Sequence, residues 1–186
     1  MKNAIAFLMI CSFFLLKANG QAIPEKDAQL MDTFIKTMLT FEKEKIESES
    51  LQKVFTGSFY TVIPTYNQSG GVATCIAYSV VIKNGKLHEL ENVDETKPLD
   101  LLFSLVNESF TLSSEADAVT FEMAIDNLYP MQWSDSEEEK KHYKQENKWM
   151  FLRGDFFGAK KGFIVTVDQN SKIVQIDYDL EAVKQE

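Results

Sequence analysis

Between residues 25 and 47 apolar side chains recur every four positions: Leu30, Phe34 and Met38 on one track, Met31, Ile35 and Leu39 on the next. Lys and Glu fill the other face, so the spacing predicts an amphipathic helix, with Pro24 suited to its start. From Leu51 the period shortens. Val54-Phe55 and then Phe59 to Ile63 are β-branched and aromatic, bounded by Gly57 and Pro64, which predicts strand. After the turn residues Gln68 to Gly71, bulky Val72, Thr74, Ile76, Tyr78, Val80 and Ile82 alternate with Ala73, Cys75, Ala77, Ser79 and Val81. Asn84-Gly85 then predicts a two-residue hairpin, because both residues tolerate positive φ, with Lys86 to Glu91 as the return strand.

The second half opens on helical spacing. Leu102, Leu105 and Val106 define one face of a helix over 99–110, and Phe121, Ile125 and Leu128 the buried stripe of another. Ser114 is placed to cap this second helix, with acids in its first turn and Pro130 at its end. The segment from Ser134 to Lys148 is so charged that it reads as a solvated loop or surface helix. Three strands follow: Trp149 to Leu152, Gly162 to Val167, and Lys172 to Tyr178, the last two joined by a turn at Asp168 to Ser171. Helices grouped around antiparallel strands make an α+β domain. The expected architecture is a long N-terminal helix plus two central helices packed on a mostly antiparallel sheet ending in a three-strand meander. At the level of elements alone, this order resembles the cystatin-like and nuclear-transport-factor-2-like architectures.

The first twenty residues stand apart from this pattern. Met1-Lys2 supplies a positive start, Ala4 to Leu16 is an apolar run of 13 residues, and Ala18-Asn19-Gly20 places small residues before Gln21. That is the three-part pattern of a secretory signal, with cleavage expected after Gly20; a retained membrane anchor is the alternative reading. The run is too short to span roughly 30 Å of hydrocarbon. The expected mature chain is a single domain over 21–186, secreted or periplasmic, with no stable membrane insertion.

Composition takes on a different meaning once this segment is removed. The full chain of 186 residues has 19 Lys plus Arg against 28 Asp plus Glu, a net charge of −9. Loss of Lys2 and Lys17, with no acid, takes the net charge to −11. Such acidity argues against nucleic acid as a partner. Cys11 leaves with the signal, so Cys75 has no intrachain partner and the fold is held by its core. A 45% hydrophobic and 12% aromatic composition is sufficient for one.

Candidate chemistry is sparse. The chain has no G-x-S-x-G, P-loop, G-x-G-x-x-G, H-E-x-x-H or C-x-x-C motif. Its two histidines, His88 and His142, fall in different segments, so no metal site is expected, and no cofactor is implied. The acids from Asp168 to Asp179 miss an EF-hand loop: Ile173 replaces the glycine at position six and Asp179 the glutamate at position twelve. Asn67 and Asn107 each begin a glycosylation sequon.

Arg153, the chain's only arginine, has the fork geometry for a carboxylate or phosphate. The aromatic meander around Trp149 provides apolar lining if the sheet is curved, and Tyr60, Tyr78 and His88 are candidate polar contacts. No catalytic residue is assigned. The preferred reading is a secreted or periplasmic non-catalytic binding domain for a small apolar ligand or a protein partner. The alternative is a small scoop-shaped enzyme doing proton-transfer chemistry in an aromatic-lined pocket.

Overall fold

The computed structural model describes residues 23–34, 41–64, 78–90, 97–129, 141–154 and 160–179. Residues 1–20, Asn67, the turn at Gln68 to Gly71, the alternating stretch from Val72 to Ala77 with Cys75, and Pro130 lie outside the described residues.

Helix α1 (Glu25–Phe34) is followed by strand β1 (Phe41–Lys45), helix α2 (Glu49–Val54) and strands β2 (Ser58–Pro64), β3 (Tyr78–Lys83) and β4 (Lys86–Glu89). The second half runs β5 (Lys97–Pro98), α3 (Asp100–Ser104), α4 (Glu115–Leu128), β6 (Lys141–Gln145), β7 (Lys148–Gly154), β8 (Lys160–Val167) and β9 (Ile173–Asp179). Among the described residues every strand pairing is antiparallel. The α+β class is therefore as expected. The strands divide into two sheets, one ordered β1-β2-β3-β4 and the other β5-β9-β8-β7-β6.

Several elements differ in extent from the reading of the sequence. The helix expected over 25–47 is described to Phe34, and Phe41–Lys45 is a strand. Residues 49–54 form a helix capped by Ser48, whose side chain accepts from the Leu51 amide. The helix expected over 99–110 closes at Ser104; beyond it Val106 bridges Phe55. The charged segment ends in β6, which gives the three-strand meander a fourth strand.

Two apolar cores hold these elements. The larger takes Phe59 and Val81 from the first sheet, Leu51, Val54 and Phe55 from α2 and its C-terminus, and Ala118, Phe121, Ile125 and Leu128 from α4. Phe151, Phe163, Val165 and Ile176 complete it from the second sheet. Helices α2 and α4 thus fill the space between the inner faces of the two sheets. The smaller core lies on the opposite face of the first sheet, where Met31 of α1 meets Tyr60, Val62, Val80 and Ile82.

Local chemistry explains the boundaries. Ser114 and Asp117 form a capping box at the start of α4, each side chain accepting from the other's backbone amide. Asn84 (φ 53°) and Gly85 (φ 71°) turn β3 into β4, as the Asn-Gly pair predicts. Gly57 (φ 131°) lies so close to the sheet that a Cβ there would sit 2.8 Å from Val81 Cγ2. No described helix is long and apolar enough to cross a membrane.

Candidate functional site

An acid on an apolar helix stripe is the starting point. Asp27 precedes Met31 by four residues and Leu30 by three, which puts it on the face of α1 that packs on the sheet. Its exposure is 4%, against 0% for Tyr60 opposite it. A buried carboxylate is costly unless hydrogen-bonded, and here the Tyr60 hydroxyl donates to Asp27 Oδ2 at 2.5 Å. Burial, reinforced by the hydrogen bond to Asp27 and by its charge, raises the Tyr60 pKa well above its ordinary value. The tyrosine is therefore fixed as a donor. A proton-transfer catalyst needs a group poised near the working pH, and Tyr60 is driven in the opposite direction.

Asp27 also lines an open groove of about 660 Å³ between α1 and the β3–β4 hairpin. Lys26, Gln29, Leu30 and Thr33 form the helix wall; Ser58, Ile82, Asn84 and Gly85 form the sheet wall. The walls thus combine a carboxylate, an ammonium, hydroxyl and amide groups with two aliphatic side chains. The volume lies in the range of small-ligand sites, roughly 300–1,000 Å³. Asp27 Oδ1 makes no hydrogen bond among the described residues.

A second polar cluster ties α4 to the edge strand β6. His142 Nδ1 lies 2.6 Å from Glu122 Oε2, and Nε2 lies 2.6 Å from Glu115 Oε1. The imidazole also packs 5.8 Å from the Phe151 ring and 6.4 Å from Trp149. Its two nitrogens point to separate carboxylates, which share no centre for an ion. Among the described residues no group of three His, Cys, Asp or Glu side chains could hold a metal. The cluster is a structural clasp.

The residues singled out from the sequence are dispersed. Tyr60 is fully buried on the outer face of the first sheet, against Asp27 and outside the lining of the groove, and the Tyr78 backbone pairs with Val62. His88 pairs with Val81 and so belongs to the other face. Trp149 is in the large core of the second sheet, where its Nε1 donates to Leu112 O at 3.1 Å. Arg153 pairs with Lys161 near the end of β7. Asp168, read as a turn residue, accepts from the amides of Asn170 and Lys172 within its own loop. Asn107, expected on a helix, instead sits in a turn and accepts from Ser109.

Sequence reasoning reached Tyr60 and missed Asp27. It also missed the clasp, although Glu122 stands four residues after Ala118 on the buried stripe of α4. The available signal was the same in both cases: an acid at an apolar position requires a partner from elsewhere. No protein-family model, curated protein or solved structure matches the chain.

Proposed function

We propose that this chain is a secreted or periplasmic non-catalytic binding domain that holds a small ligand in the groove between α1 and the β3–β4 hairpin. One observation carries the reading. Asp27 is nearly buried, with one oxygen held by the hydroxyl of a tyrosine whose pKa is raised, and it lines an open, partly apolar groove. This arrangement presets an acceptor, as binding sites do, and supplies no group suited to shuttling protons. The mixed walls fit an amphipathic molecule better than a wholly apolar one. Export rests on the three-part pattern of residues 1–20.

Native mass spectrometry of the chain recovered from an exporting cell tests the proposal. A 1:1 small-molecule adduct is expected, and it should be lost in Gln29→Trp, which fills the groove from an exposed wall position. An adduct-free protein, or an adduct unaffected by Gln29→Trp, overturns it.

A further inference from the structure

We propose that the ligand of this groove is a small primary alkylamine, its ammonium bound at Asp27 and its chain laid along Leu30 and Ile82; the inference rests on the binding reading above. Asp27 is 4% exposed, yet among the described residues no Lys or Arg pairs with it. A carboxylate withdrawn this far from water gains most from a cation that brings donors of its own. Anionic ligands are disfavoured at Asp27 itself by like charge; Lys26, the other charged residue of the lining, is exposed to water, where its charge is screened.

The geometry also selects among cations. A guanidinium binds a carboxylate best through two parallel hydrogen bonds that use both oxygens. Here Oδ2 is occupied by the Tyr60 hydroxyl, leaving Oδ1 alone. A single acceptor suits a compact ammonium, which binds as a point charge with three donors. Ser58 and Asn84, on the sheet wall, supply further side-chain oxygens for the remaining N–H groups. A divalent cation would require more oxygen ligands of greater total charge than one carboxylate offers. Leu30 and Ile82 give a hydrocarbon tail an apolar surface to cover.

Titration of the mature chain with hexylamine, hexylguanidine, hexanol and hexanoate, followed by calorimetry and amide chemical shifts, tests the assignment. Hexylamine should bind and shift the amides of α1 and of the β3–β4 turn. Hexanol and hexylguanidine should bind at least about tenfold more weakly, a factor one lost charged hydrogen bond can supply. Hexanoate should not bind. Asp27→Asn should weaken hexylamine by about the same factor. Tyr60→Phe frees Oδ2 and keeps the charge, so it should narrow the gap between hexylguanidine and hexylamine. Equal affinity for hexanol or hexanoate, or no change in Asp27→Asn, overturns the amine assignment and leaves the groove as a binding site. Should none of the four probes bind, the amine assignment falls alone if the native adduct is present, and falls with the binding reading if it is absent.

Discussion

The two faces of the first sheet are packed on different terms. Its inner face joins a large aromatic core in which Phe121 lies 5.9 Å from Phe55, 6.5 Å from Phe110 and 4.9 Å from Phe151. Even the polar atom of Trp149 there is satisfied by a backbone carbonyl. Among the described residues the outer face buries Tyr60, Val62, Val80 and Ile82 beneath Met31 of α1, and the tyrosine hydroxyl requires an aspartate from that covering helix. An open groove runs beside it. One face is optimised for burial, whereas the other accepts a polar pair and an incomplete cover. Departures from simple packing rules concentrate where a protein has something to bind.

Truncation should separate the two cores most strongly. Phe121→Ala removes a fully buried ring from the centre of the sealed core and should cost about 3–5 kcal/mol in urea unfolding. Met31→Ala in the small core should cost about 2 kcal/mol, the low end for such a change, because water from the groove can enter the space left behind. Equal losses would mean that α1 is as firmly packed as α4 and would remove the contrast.

The polar pair gives the next effect. Tyr60→Phe leaves Asp27 without its donor and should destabilise by about 1 kcal/mol, since Oδ2 then depends on groove water. A pH dependence accompanies it. Folding raises the Tyr60 pKa above that of the unfolded chain, so the folded state keeps a proton that the unfolded state gives up. The stability this group contributes is complete below about pH 10 and is lost as pH rises further. Wild type should therefore lose its advantage over Tyr60→Phe in alkaline denaturation curves. An advantage that grows above pH 10 would mean that Tyr60 ionises in the fold.

How much of this was legible in the chain depended on whether a signal was local. The Ser114 cap and the Asn84-Gly85 turn are each set within a few residues, and the structure has both. Helix α2 was misread because Val54-Phe55 favours strand by propensity, while its cap at Ser48 is a weaker cue. Strand β6, with the sequence Lys-His-Tyr-Lys-Gln, has no apolar period; its pairing comes from β7, and its inner face is covered by the clasp of His142 with Glu115 and Glu122. The groove had the same difficulty. Asp27 and Tyr60 stand 33 residues apart and on different elements. A helix laid over a sheet brings them together, and no spacing in the sequence encodes that contact.

The smallest expected effect comes from the entrance to α4, on a different element from the Asp27–Tyr60 pair. Asp117 Oδ2 accepts from the Ser114 amide at 3.1 Å and the Ser113 amide at 3.2 Å, while Ser114 Oγ accepts from the Asp117 amide at 3.3 Å. Burial alone would raise the Asp117 pKa, but the hydrogen bonds from Ser114 and Ser113 outweigh it and lower the value. The folded chain thus releases this proton more readily than the unfolded chain. Its contribution is present above the ordinary carboxylate value near 3.8 and is lost as pH falls through the lower folded value. Ser114→Ala should cost about 1 kcal/mol at neutral pH. Asp117→Asn should cost less, because an amide oxygen still accepts and only the charge is removed. The difference between wild type and Asp117→Asn should shrink on acidification below pH 4. A difference that widens there would mean that the carboxylate is disfavoured in the fold, contrary to a cap that draws its strength from charge.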